Sequence, residues 1–289
     1  MIKRMIPVLL CLLFMLPVAA LAEQTAEEEN TQLTHYLLLG QDGYAEDIVE
    51  DARTDTIVIV SLDEKYNRVI MTSVLRDSKI RNPKGNDTKA NLLYRYFGFD
   101  GITDCLEREL DIEIKGAVLI NFEHVKPVID ALGGVDIEIN QAELISIRNI
   151  LLGKDPNMPK KAGMTHMTGR IALAYMRTRA TGSGSDFERT QRQRKVVGQL
   201  FDKCRDLSLL ELVGVYNQVS AGMKMNLSAM DVLGAISKGY GLIAKGADFK
   251  EFSIPQKGTY SYGSVGDSSA LEVRWKTNRM RFHEMLNNP

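Results

Sequence analysis

The chain has 289 residues, 44% of them hydrophobic and 25% charged, the balance of an ordinary globular protein with enough length for a sizeable core. Its net charge is −1, and it becomes −3 (34 bases against 37 acids) once residues 1–22, which hold Lys3, Arg4 and no acids, are set aside. Bulk attraction to nucleic acid or another polyanion is thereby excluded, so any anion must be met by a local cluster of basic side chains.

Residues 1–22 read as a secretory signal, cleaved or retained as an anchor. Lys3 and Arg4 form a basic start, Met5 to Val18 is apolar but short for a membrane span, and Ala20-Leu-Ala22 has the form of a cleavage site. The rest of the chain is accordingly expected outside the cytoplasm, secreted or held at the outer face of the membrane. Residues 23–34 are a polar, acidic linker. His35 to Gly40 reads as a strand, with Asp42 just past its turn. Thr54 to Leu62 is a β-branched run that suits a buried strand, and Arg68 to Leu75 is a third. A loop at Asn82 to Asp87 leads to a helix from about Lys89 to Phe97, then a second from Asp100 to Leu110 that Asp111 breaks off. Ala117 to Phe122 reads as a short strand, Val125 to Leu132 as a helix closed by Gly133-Gly134, and Val135 to Ile139 as a half-exposed strand.

Residues 151–163 read as a loop, and Thr168 can cap a helix running to about Met176. A Gly/Ser loop at 181–185 precedes Asp186, which caps a long helix from Phe187 to about Leu207. Further helices fall near 209–222 and 228–245, and Phe252 to Trp275 is mixed strand and loop. Alternation of strands and helices predicts an α/β fold with helices on both sheet faces, built as one domain over residues 35–289. Of three cysteines, Cys11 lies in the signal. Cys105 and Cys204 are either two buried free thiols or a pair that an oxidising compartment can bridge. The four histidines are scattered, so neither a zinc site nor a histidine-based triad is suggested.

The stretch Arg177-Thr-Arg179 to Gln193 carries the first chemical signal. On the 187–207 helix, Val196, Val197, Leu200 and Cys204 make a buried stripe, and Arg189 and Gln193 fall within about 40° of its centre. Arg192, Arg194 and Lys195 are read as lying off that stripe, at the surface. Arg189 and Gln193 near a helix N-terminus, with Arg177 and Arg179 across the loop, suit a phosphate or pyrophosphate; internal ion pairs are the plainer use of any one of them. A second signal lies at strand ends. Asp42 follows the first strand, Asp55 opens the second, and Arg76-Asp77 closes the third, where ligands collect in α/β sheets. Two carboxylates beside a pyrophosphate suggest a hard divalent cation such as Mg²⁺, although each aspartate alone also serves as a turn residue or cap. Lys89 and Asn91 add to the polar surroundings.

These segments together resemble the LytR–CpsA–Psr family of bacterial cell-envelope proteins. The resemblance runs from Leu37 to about Phe201, with a weaker tail. It rests on Leu38-Leu-Gly-Gln-Asp42, Arg53-Thr-Asp55-Thr, Ser73-Val-Leu-Arg76-Asp77, Lys89-Ala-Asn91, Asp130-Ala-Leu-Gly-Gly-Val135, Gly169 to Arg179, and Asp186-Phe-Glu-Arg189-Thr-Gln-Arg-Gln193. Each piece alone is weak, and seven in order are specific. The resemblance implies a three-layer α/β/α fold with a central mixed sheet and an extracytoplasmic phosphotransferase. Such an enzyme moves a glycopolymer from a polyprenyl-pyrophosphate carrier at the membrane surface onto peptidoglycan, leaving a phosphodiester. By position, Asp42 and Asp55 match the metal-side aspartates for Mg²⁺, or Mn²⁺ in its place. Arg76, Arg177, Arg179, Arg189 and Gln193 match the pyrophosphate-binding set, Lys89 matches a further basic position, and a tunnel for the polyprenyl chain is implied.

One departure is clear: the family's usual Ser-x-Pro-Arg-Asp is here Ser73-Val-Leu75-Arg76-Asp77, and leucine does not fix φ as proline does. Mechanistically, the expectation is positioning and charge neutralisation, with Arg76 stabilising developing charge and the base left open between Asp77 and the metal-side carboxylates. The alternatives are a lipid-pyrophosphate phosphatase using the same site and a non-catalytic protein that holds polyprenyl-linked polymers.

Overall fold

In the computed structural model, the described residues are 33–41, 53–121, 125–178 and 207–288, together with Arg192, Lys195, Val196, Gln199, Leu200 and Lys203. In chain order the elements begin with β1 (Leu33–Gln41), β2 (Thr54–Asp63), β3 (Arg68–Val74), β4 (Lys79–Arg81), β5 (Asp87–Lys89), α1 (Ala90–Leu110) and β6 (Ile114–Asn121). They continue with α2 (Val125–Ala131), β7 (Val135–Ile139), α3 (Gln141–Ile150), β8 (Gly163–Met167), α4 (Gly169–Arg177) and α5 (Leu209–Val219). The chain ends through β9 (Lys224–Met225), α6 (Ala229–Ala244), β10 (Asp248–Ile254), β11 (Tyr260–Val265), β12 (Ser268–Val273) and α7 (Trp275–Asn287). Residues 33–121 and 223–288 gather in one compact unit, and residues 125–222 in another.

The first unit is built on a six-stranded sheet in the order β10-β3-β2-β1-β6-β9. Its central pairs β1–β2 and β2–β3 are antiparallel, whereas β10–β3 and β1–β6 are parallel, so the sheet is mixed. Strands buried on both faces read as near-continuous apolar runs, which Tyr36 to Leu39 of β1 and Ile57 to Val60 of β2 supply. Leu37 and Leu39 face a core shared with Ile57 and Ile59 of β2, Leu93 and Leu106 of α1, and Phe282 of α7. The alternate residues Leu38, Val58 and Val60 are equally buried toward the opposite face, where α6 packs on β2 and β3. The result is the expected α/β/α layering around a mixed sheet.

Helix α1 carries a kink at Gly98, whose φ of 65° only glycine adopts without strain, and Asp111 ends it in the left-handed conformation. The two expected helices are therefore one element bent at that glycine. Helix α7 had no sequence assignment. Its buried stripe is only Asn278, Phe282 and Leu286, at i, i+4 and i+8 among charged neighbours. Arg68 anchors its end. Fully buried at the start of β3, it donates to Asp63 at 2.6 Å and to the carbonyls of Met285, Leu286 and Asn288. Helix C-termini leave such carbonyls without partners, and the guanidinium supplies them.

The second unit holds the antiparallel β7–β8 hairpin and α2 to α5. β7 alternates buried and exposed as expected, while its partner β8 lies where a loop had been read to end. Helix α3 was also unassigned, although Asn140 and Glu143 form a complete capping box at its start. Thr168 occupies the N-cap of α4 as expected but makes no side-chain cap; Asp130 of α2 accepts the Gly169 N–H at 2.7 Å in its place. A Cβ at Gly169 would collide with the Lys126 carbonyl, so glycine lets α2 and α4 touch backbone to backbone. Val196 and Leu200 are fully buried as read, and Cys105 is a buried free thiol, whereas Cys204 lies outside the described residues.

His35 links this packing to pH. It is buried on β1 with its Nδ1 2.7 Å from the Ser61 hydroxyl. Burial, followed by repulsion from His283, pushes its pKa down from 6.5 to about 4. The folded state therefore favours the neutral ring. Stability is complete above the unfolded pKa of 6.5 and is lost as pH falls toward 4, by about 2 kcal/mol at pH 5. Guanidinium unfolding at pH 7 and pH 5 should show that loss in the wild type and a smaller one in His35→Gln; equal losses would refute the assignment.

Candidate functional site

Three strand ends and one helix start meet in the first unit. Asp55 is the second residue of β2, Arg76 and Asp77 follow β3, and Lys89 ends β5 at the N-cap of α1. Arg76 Nη1 donates to Asp55 Oδ2 at 2.9 Å, and its Nε lies 3.6 Å from Asp77 Oδ2. Lys89 Nζ donates to Asp77 Oδ1 at 2.7 Å and to the Ser269 carbonyl at 2.9 Å. The four side chains thus form one chain of alternating charge, with Arg76 41% exposed and Lys89 mostly covered. Both Asp77 oxygens face cations, which makes this carboxylate an organiser of Arg76 and Lys89.

The backbone beneath the cluster is tightly held. Leu75 N–H donates to the Ile254 carbonyl at 2.7 Å, extending the parallel β3–β10 pairing by one bond. The Arg76 carbonyl accepts from Asn91 N–H at 3.0 Å, that of Asp77 from Leu271 N–H at 2.8 Å, and that of Ser78 from Ala90 N–H at 2.9 Å. Position 75 is therefore fixed by its own N–H, a bond that the family's usual proline cannot make. Asn91 of the Lys-Ala-Asn segment serves this loop through its backbone, and its buried Oδ1 has no partner among the described residues.

Any metal at this end would meet oxygen ligands, the donor set that Mg²⁺ takes. Asp55 is one. Asp42 lies outside the described residues, and Gln41 before it pairs with Thr54, the residue preceding Asp55. Among the described residues no three His, Cys, Asp or Glu side chains gather as a metal site.

In the second unit Arg177 is the last residue of α4, half-buried. Arg179, Arg189 and Gln193 lie outside the described residues. Arg192 corrects the sequence reading, which had put it at the surface. It is 4% exposed, with Nε 2.9 Å from Glu143 Oε1 and Nη1 donating to the Thr178 carbonyl at 2.8 Å. The signal was available: Arg192 precedes Val196 by four residues and Leu200 by eight, so it shares their buried face. Lys195 is exposed as read. Tyr175, fully buried, has its pKa raised by burial and then by Glu143.

A layered α/β fold with an Arg–Asp–Lys cluster at the strand ends is the class these features define. The chain belongs to the LytR_cpsA_psr family, whose model matches residues 18–279. It is 29% identical over 267 residues to the polyisoprenyl-teichoic acid–peptidoglycan teichoic acid transferase TagU of Bacillus mycoides, covering 90% of this chain and 82% of the relative. The TagU of Bacillus anthracis is 30% identical over 254 residues, 86% of this chain and 78% of the relative. Among solved structures, TagT bound to LIIa-WTA is similar at 25% identity, with a TM-score of 0.64 over 94% of this chain and 98% of that one.

The Leu75 bond has a direct test. Leu75→Pro should lower stability by about 1 kcal/mol through loss of the donor to Ile254, while Leu75→Ala, which keeps the N–H, should stay within about 0.5 kcal/mol of wild type. Thermal melts distinguish them, and an unaltered proline variant would show that this bond does not hold the loop.

Proposed function

We propose that this chain is an extracytoplasmic transferase that moves a glycopolymer from a polyprenyl-pyrophosphate carrier to peptidoglycan. The observation that carries the proposal is the Asp55–Arg76–Asp77–Lys89 cluster at the strand ends of a family member whose relatives bear the name of polyisoprenyl-linked teichoic acid transferases. An acceptor hydroxyl attacks the phosphorus that carries the glycopolymer. A new P–O bond forms, the bridging P–O bond of the pyrophosphate breaks, and polyprenyl phosphate leaves with its electron pair. Such transfers depend chiefly on positioning and on stabilising charge over the phosphoryl oxygens.

Arg76 suits the second task. It is partly open to solvent, its loop is tied to three elements, and its guanidinium can exchange Asp55 for phosphoryl oxygens. Lys89, held between Asp77 and the Ser269 carbonyl, adds positive charge. By the family resemblance, Arg177, Arg179, Arg189 and Gln193 are further proposed pyrophosphate ligands. Asp42 and Asp55 would hold Mg²⁺ or Mn²⁺, which when bound neutralises pyrophosphate charge. With Asp77 engaged by two cations, the hydroxyl proton passes more readily to a metal-side carboxylate or to water. An acceptor of peptidoglycan requires a site outside the cytoplasm, at the membrane surface where the lipid carrier resides.

Transfer from a lipid-pyrophosphate donor should fall about 10²- to 10³-fold in Arg76→Ala. A chelator should stop wild-type transfer and added Mg²⁺ should restore it. Wild-type turnover in Arg76→Ala would overturn the assignment. Donor cleavage that needs no acceptor would show a phosphatase instead, and donor binding without turnover a binding protein.

A further inference from the structure

We infer that Arg192 is a positioning residue for Arg177, holding the backbone at the point where the chain leaves α4. The inference rests on the reading of Arg177 as a pyrophosphate ligand. Thr178 is the C-cap of α4 and is fully buried. Its N–H and its hydroxyl both donate back to the Tyr175 carbonyl, at 3.2 and 2.9 Å. Its own carbonyl accepts from Arg192 Nη1 at 2.8 Å. The residue after Arg177 is therefore tied on one side to the helix it ends and on the other to Arg192.

Arg192 is itself immobilised. Its Nε meets Glu143 Oε1 at 2.9 Å, and the other oxygen of Glu143 accepts the Asn140 N–H at 3.0 Å. Glu143 in turn donates its N–H to Asn140 Oδ1 at 2.9 Å, closing the capping box of α3. One guanidinium thus joins the start of α3 to the end of α4. Buried ion pairs contribute little net stability, and apolar replacements of similar volume are often neutral. The ion pair alone therefore does not account for an arginine here. The planar fork does: it presents one donor to a carboxylate and another to a carbonyl in fixed relative geometry, which neither lysine nor an apolar chain can reproduce. The held carbonyl follows Arg177 directly, and small displacements of a phosphate ligand cost large factors in binding and rate.

The test uses the full chain and farnesyl pyrophosphate with Mg²⁺ as the probe, with Kd from titration calorimetry and melting temperature read together. Arg192→Met alone should destabilise the fold, because Glu143 is left buried and unpaired. The double variant Arg192→Met/Glu143→Gln removes the charge while keeping an acceptor for Asn140, so it should recover most of that melting temperature. Its Kd should nevertheless rise at least tenfold. Arg192→Lys, which keeps the ion pair without the fork, should melt near wild type and bind several-fold more weakly. Wild-type Kd in both the double and the lysine variants, with weakened binding in Arg177→Ala, would overturn the positioning role alone. Wild-type Kd in Arg177→Ala would overturn the pyrophosphate reading on which it rests.

Discussion

Between Leu75 and Ser78 four successive residues are hydrogen-bonded through their backbone to β10, to the start of α1 and to β12. The charged cluster depends on this clamp. Arg76 is long and partly exposed, and such a side chain has several rotamers to lose on ordering. Fixing its backbone removes part of that cost before any ligand arrives. Two of the elements that provide the clamp, β10 and β12, lie far from this loop in sequence, so the held backbone depends on tertiary pairing, including the parallel β3–β10 pair. The hairpin of β11 and β12 joins the site for the same reason, through Leu271 N–H and the Ser269 carbonyl.

Burial decides what each arginine can do. Exposed ion pairs are worth about 0–1 kcal/mol, so the contact between Arg76 and Asp55 costs little to break. A buried pair is different, since removing one partner strands a charge and costs several kcal/mol. Arg68 with Asp63 and Arg192 with Glu143 are of this second kind, each with side chains under a tenth exposed. They cannot be given up to a ligand without breaking the fold around them. Charge count alone does not separate the two kinds.

That is why the sequence was legible in some places and not in others. β1 and β2 are legible through the apolar runs at their middles, Tyr36 to Leu39 and Ile57 to Val60, because both faces of the sheet are covered there. Asp55, Arg76 and Asp77 can be placed at strand ends from the sequence because strand ends follow from strands. Helix α7 is hard to read from the sequence because its one buried stripe is diluted by charge, and part of its hold comes from Arg68, some 220 residues away. β8 is fixed by its partner β7 and not by a strong pattern of its own. Arg192 lies off a stripe made of Val196, Val197, Leu200 and Cys204, but it shares the face of Val196 and Leu200, which are buried with it.

The two buried arginines share a geometry that clarifies the rule. Each takes a carboxylate with one edge of its fork and backbone carbonyls with the other, and in both cases those carbonyls end a helix: α7 for Arg68, α4 for Arg192. Helix C-termini carry orphan acceptors and a negative dipole end, so a buried cation there answers a need that any helix has. At α7 the device fixes the end of the helix against β3. At α4 the same device sits directly after Arg177. A structural solution common to both units gains a functional consequence only through the residue it holds, which at α4 is the proposed pyrophosphate ligand Arg177.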